Sequence, residues 1–282
     1  MDNFNQNVFR QGHFESWNNT LGKNFTNNED GLNKARMIEK NIETGGHYQA
    51  EVSGMYGEFT VASVFKSLPE EYHVMNNILL QKGIKYRIYE PEKYGQSPFR
   101  IVMKNGRAYE EVKQSTQLDH IIVSPYGIFI IETKNHKGMI FGDMQSKVWT
   151  QVLCGENGWR AYGGRSHFTF LNPVLQNQTH IKTLAQQLKC PLNNIAGLIV
   201  FTNPESDLSN VACNCCFKID TLYDAIVSFT NILWSPSNTI KVIKAIESID
   251  TTSYTASKEH ETYVKDMNRR HELNRIRALG KL

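Results

Sequence analysis

Apolar residues run without a break through Ile121-Ile122-Val123 and again through Ile128-Phe129-Ile130-Ile131, and both runs adjoin charged or amide side chains. Unbroken runs of this length read as strands buried on both faces. Between them Ser124-Pro125-Tyr126-Gly127 has Pro and Gly where a β-turn takes them, so the runs pair as a hairpin. Side chains alternate along a strand, which puts Ile128, Ile130, Glu132 and Lys134 on one face. An even-length loop sets Asp119 across from Glu132 and Gln117 across from Lys134. A loop with a Gly bulge shifts the register by one and breaks this match.

Elsewhere the apolar period is helical. Within residues 54–68, Val61, Ala62, Phe65 and Leu68 form a stripe, and Glu58 falls on it. A strand follows near 72–80. Asn172-Pro173 is a good N-cap and first-turn pair for a helix reaching about Lys189, with Ile181, Leu184, Ala185 and Leu188 as its buried stripe. Gln176 and His180 lie one turn apart on a different, polar stripe. Residues 196–202 read as a buried strand stopped by Asn203-Pro204. The order helix, strand, hairpin, helix, strand suits an α/β domain with a mixed central sheet covered by helices. Residues 1–46 read as an Asn-rich N-terminal extension with a helix at 29–43, residues 47–235 as the main domain, and residues 236–282 as a charged, helical C-terminal segment.

Two carboxylates directly opposite each other repel, and a cation between them removes the conflict. Hard oxygen ligands suit Mg²⁺ or Mn²⁺, which bind through one or two carboxylates plus substrate phosphate. Such an ion activates a bound water and neutralises charge on phosphoryl oxygens, while Lys134 orients the water or stabilises the transition state. The competing reading is a surface hairpin with a solvated Glu132–Lys134 pair, which fits the apolar run 128–131 poorly. A glutamate on an apolar stripe is costly to bury unless paired or metal-bound, so Glu58 joins the candidate site; an acid in an exposed first helical turn is the ordinary alternative. Gly54 and Gly57 weaken a helix, which points to close backbone approach.

With these residues in view, Asp119 followed by Glu132-x-Lys134 resembles the PD-(D/E)xK nuclease pattern, with Leu118 in place of the usual Pro. Gly54-Met-Tyr-Gly57-Glu58, Gln117-x-Asp119-His120, Gly127 through Asn135, Trp149 and Asn172-Pro173-x-x-Gln176 are similar in order and spacing to the nuclease-related (NERD) domain over about residues 50–205. The resemblance implies a restriction-endonuclease-like αβββαβ core with the metal at one edge of the sheet. It also implies a metal-dependent nuclease: Asp119 and Glu132 hold Mg²⁺ or Mn²⁺ with the Thr133 carbonyl as a third ligand and Glu58 in support, Lys134 serves the water, and Gln117 and Gln176 position the site. Gln176 and His180 resemble the Gln-x-x-x-Tyr element of recombination-type nucleases, with His180 in place of Tyr. The alternative is a module that keeps the fold and binds nucleic acid or protein without cleaving.

The net charge is only +3, so distribution matters more than total. An insertion at 81–116 mixes basic residues with Tyr86, Tyr89, Tyr94, Phe99 and Tyr109, and Lys104-Asn105-Gly106 suggests a hairpin turn within it. Lys85, Arg87 and Arg107, with His180, are the candidate nucleic-acid contacts; the aromatics either stack on bases or pack the insertion to the core. The basic helical pattern from about 257 reads first as a solvated or partner-binding helix and second as a phosphate-contacting one. A charged fraction of 21% and the lack of a long apolar run or signal segment point to a cytoplasmic protein with no membrane partner. Of the five cysteines, Cys213, Cys215 and Cys216 lack a second zinc-like pair, so partly buried free thiols are expected. The expected partner is nucleic acid, DNA ahead of RNA, with any helicase or other protein acting in trans.

Overall fold

The computed structural model describes residues 49–153 and 166–279; the helix expected at 29–43 lies outside them. Helix α1 (Gln49–Phe65) is followed by β1 (His73–Ile88), α2 (Pro91–Tyr94), β2 (Arg100–Lys104), β3 (Arg107–Ser124) and β4 (Gly127–Lys134). Next come β5 (Gly138–Asp143), β6 (Val148–Leu153), β7 (Ser166–Leu171), α3 (Pro173–Leu188), β8 (Ile195–Phe201), β9 (Ser206–Ala212) and β10 (Cys216–Lys218). Helices α4 (Ile219–Val227), α5 (Pro236–Ile249) and α6 (Tyr254–Ala278) complete the described chain. This is a mixed α/β architecture consistent with a restriction-endonuclease-like fold.

The central sheet has the order β1-β3-β4-β8-β10, with β2 on the outer half of β3. Pairing of β3 with β4 runs from Ser124–Gly127 to His120–Ile131, the even register, while β4–β8 and β8–β10 are parallel. Alternation then sorts the apolar runs onto two faces. Ile121, Val123, Ile128 and Ile130 pack with Leu184 and Ala185 of α3 and Ile246 of α5. Ile122, Phe129 and Ile131 pack on the other face with Val61 and Phe65 of α1 and Leu222 and Ile226 of α4. A central sheet covered on both sides explains why its strands lack the one-sided polar alternation of a surface hairpin.

Residues 81–116 form a ribbon that continues the core strands β1 and β3. β1 and β3 stay paired from His73–Val123 out to Ile88–Tyr109, with one irregularity between Gln81 and Gly83, and β2 joins at the expected turn. Asn105 (φ 49°) and Gly106 (φ 73°) supply the positive dihedrals of that tight hairpin. The C-terminal helix α6 docks on this ribbon instead of standing in solvent. Glu110 and Asp266, both with side chains 1% exposed, pair with Arg87 and Arg270. The Arg270 guanidinium lies over Tyr94, 4.2 Å from its ring centroid, so this aromatic packs within the fold. Residues 236–249 likewise reach the core through Ile246.

A second sheet, β7-β6-β5-β9, was not expected from the sequence. Its Trp149 is fully buried and stacks on Phe201 of the central sheet, with ring planes 2° apart. The Trp149 indole and the Asn172 amide both donate to the Asp143 carbonyl, while Asn172 Oδ1 caps α3 by accepting from Val174 N–H at 2.9 Å. The second sheet thus fixes the start of the helix that faces Glu132.

Candidate active site

β3 and β4 part company beyond His120–Ile131. β3 continues along β1, whereas β4 continues along β8 through Glu132–Ile199 and Lys134–Phe201. The divergence frees a main-chain donor, and a side chain takes it: Thr133 N–H donates to Asp119 Oδ2 at 2.9 Å. Asp119 and Glu132 therefore flank the fork between two interior strands of the sheet.

Four side chains meet around Glu132, itself 2% exposed. Lys134 Nζ donates to Glu132 Oε1 and, at 3.2 Å, to Gln176 Oε1. His180 Nε2 lies 3.3 Å from Glu132 Oε2, although neither atom has a hydrogen-bond partner of good geometry. Thr116 Oγ1 holds the other ring nitrogen, Nδ1, at 2.8 Å. The one-turn spacing of Gln176 and His180 on α3 thus matches the two-residue spacing of Lys134 and Glu132 on β4. Buried Asn177 ties the helix to both strands, donating to Ile130 O at 3.0 Å and Leu198 O at 3.2 Å.

On the opposite face Gly57 lets α1 approach. A Cβ there would lie 2.9 Å from Thr202 Oγ1 and 3.2 Å from Thr133 Cγ2; at Gly54 nothing lies within 4 Å, so only Gly57 is needed for close approach. Glu58, the next residue, is near enough for its charge to act on Asp119 and Lys134.

The electrostatics follow from burial. Asp119 is held well above the usual carboxylate range by desolvation and then by the charges of Glu132 and Glu58, against the pull of Lys134 and the Thr133 N–H. For Glu132, desolvation pushes upward but Lys134 and His180 outweigh it, so its carboxyl lies below its ordinary value. Desolvation lowers Lys134 less than Glu132 and Asp119 raise it, which keeps the ammonium charged.

This donor set fits a hard divalent cation. Glu132 Oε2 is a buried oxygen lacking a hydrogen bond, and Asp119 is discouraged from ionising by its own neighbours; a cation would satisfy both. Asp119 and Glu132 could hold it. Among the described residues, the three ligand-type side chains that converge within 4.8 Å are instead Cys213, Cys215 and Cys216, so Glu58 does not form an equally tight trio with the two carboxylates.

Several expected contacts fall elsewhere. The Gln117 amide donates to Asn77 Oδ1 on β1 at 3.2 Å, and the amide beside Lys134 is that of Gln176. His180 was expected on a solvated helix face or against nucleic acid; it is 3% exposed because Thr116 and Glu132 offer its ring polar partners inside the fold. Arg87 was expected to contact phosphate, but its guanidinium is committed to Glu110 and Asp266. Lys85 and Arg107 are exposed on the outer ribbon. Thr116 and Asn177 were missed; Asn177 lies one residue beyond Gln176, and its burial had no sign in the polar helix pattern.

An uncharacterized protein of Bacillus anthracis is 37% identical to this chain over 93 residues, 32% of the chain and 39% of the relative. The aligned part thus spans about two fifths of that relative. No solved structure matches the chain. Among the described residues no helix is long and apolar enough to cross a membrane. The nuclease-related domain model matches residues 53–202, from the helix carrying Gly57 and Glu58 through the fork and α3 to the end of β8. The chain belongs to the nuclease-related (NERD) domain family, within the PD-(D/E)xK-like nucleases.

Proposed function

We propose that this protein hydrolyses phosphodiester bonds in nucleic acid, DNA ahead of RNA, with the help of Mg²⁺ or Mn²⁺. The observation that carries the reading is the buried fork, where Asp119 and Glu132 flank diverging strands and Lys134 sits against Glu132. Asp119 and Glu132 would bind the cation, with the Thr133 carbonyl as a further oxygen and Glu58 in support. The ion would supply charge neutralisation at the scissile phosphate and a more acidic bound water. Lys134, kept protonated by its neighbours, donates hydrogen bonds to the attacking water or to phosphoryl oxygen and is unsuited to act as the base. Gln176 accepts from the Lys134 ammonium, and His180 stands 3.3 Å from the Glu132 carboxylate.

A module that binds nucleic acid without cleaving it needs no cation at this fork. Titration calorimetry with Mg²⁺ and Mn²⁺ separates the two readings. The nuclease reading expects binding that disappears in Asp119→Ala; absent binding, or binding untouched by that substitution, contradicts it.

A further inference from the structure

We propose a second metal site, distinct from the carboxylate fork, in which Cys213, Cys215 and Cys216 bind one thiophilic ion of the Zn²⁺ class. The three Sγ atoms lie within 4.8 Å of one another, and those of Cys213 and Cys215 are 3.0 Å apart. A Zn–S bond is about 2.3 Å, so sulfurs on one ion stand at most roughly 4.6 Å apart, and about 3.8 Å in tetrahedral geometry. Ligation therefore asks little movement of these side chains.

The convergence is built by the fold. Cys213 directly follows β9 of the second sheet, and Cys216 opens β10 of the central sheet, so the short turn between them joins the two sheets. Cys215 is pinned by its carbonyl, which accepts from Ile199 N–H at 2.8 Å. Its own N–H points at Cys213 Sγ, 3.4 Å away, an interaction that favours thiolate over thiol. One side of the cluster rests on the apolar group containing Ile140, Trp149, Ile199 and Phe201. Thiolates in such surroundings select soft or borderline ions over Mg²⁺.

Among the described residues no fourth His, Cys, Asp or Glu atom joins the group at this distance. Binding replaces the thiol protons, which leave to solvent as the ion arrives, so it strengthens with rising pH. The site would brace the joint between the sheets. It also stands near the fork: Cys216 and Glu132 both pair with Ile199, from opposite sides. Two strand spacings put them about 10 Å apart.

The test uses the full chain, reduced and chelator-treated under anaerobic conditions, titrated with Co²⁺ and then Zn²⁺. The proposal expects one ion per chain, a sulfur-to-cobalt charge-transfer band that Zn²⁺ bleaches, and loss of both in Cys213→Ser and Cys216→Ser. Cys190→Ser and Asp119→Ala keep them. Zn²⁺ also shields three of the five thiols from alkylation, and mass spectrometry places the shielded thiols at 213, 215 and 216. This wild-type measurement decides the matter if a serine variant does not fold. Absence of the band, or shielding that maps to Cys154 or Cys190, overturns the proposal.

Discussion

His180 Nε2 lies 3.3 Å from Glu132 Oε2 inside the protein, with Thr116 Oγ1 on the far side of the imidazole. A Thr116 hydroxyl donating to Nδ1 puts the ring hydrogen on Nε2, facing the carboxylate. His180→Ala removes that orienting contact. Partners of this kind typically account for 10–100-fold in metal affinity or activity, so a loss of about that size is expected in metal-dependent cleavage. Thr116→Val, which only loosens the ring, has a smaller effect of the same sign. Parallel metal titration and cleavage kinetics on the two variants check the order.

Glu110→Ala leaves the Arg270 guanidinium buried without one of its carboxylates. Breaking a buried ion pair from one side costs about 3–5 kcal/mol, so denaturant unfolding is expected to shift strongly. Arg87→Ala acts in the same direction because it faces the same acids. By contrast, Lys85→Ala with Arg107→Ala leaves stability nearly unchanged, since both residues are exposed. If the ribbon contacts phosphate, this double variant weakens binding and flattens its salt dependence.

Gly57→Ala places a Cβ 2.9 Å from Thr202 Oγ1 and 3.2 Å from Thr133 Cγ2. The expected result is a loss of about 1–3 kcal/mol, typical of overpacking, with Glu58 carried away from the fork. Gly54→Ala meets nothing within 4 Å and gains helix propensity, so it is neutral or stabilising by up to about 1 kcal/mol. Thermal unfolding of the pair separates close approach from a general intolerance of change in α1.

Burial pushes His120 down to about 3. The unfolded chain thus takes up a proton near the ordinary histidine value of about 6.5, where the folded protein does not. Stability from this group is complete above that value and falls as pH drops toward 3, by about 1.4 kcal/mol per pH unit. His120→Asn can keep a hydrogen bond to Asn76 Oδ1 without titrating, so the acid-side slope flattens. It does not vanish, because His136 is lowered to about 4 by burial and Lys134 and works in the same direction. Denaturant midpoints measured from pH 7 downward give both slopes.

The fork was legible because two independent signals met there. The Pro125-Tyr126 turn fixed the register and the apolar run 128–131 fixed the faces, which left Glu132 buried and Asp119 beside it only partly exposed. Gln176 and His180 could be placed together by helical spacing, but the burial of His180 could not be read, since a polar stripe ordinarily faces water. The role of Arg87 was hidden because Asp266 is far along the chain. The second sheet left little pattern: β7 is mostly exposed and β6 and β5 carry few fully buried positions, so alternation did not announce them.

The most direct measurement is cleavage of labelled single- and double-stranded DNA and RNA in Mg²⁺, Mn²⁺ or EDTA by the wild type, Asp119→Ala and Lys134→Ala, purified identically and shown to be folded. The account predicts cutting by the wild type with metal, none in EDTA, and loss in both variants. Equal cutting by all three proteins, or intact nucleic-acid binding by a wild type that never cuts with either metal, would contradict it.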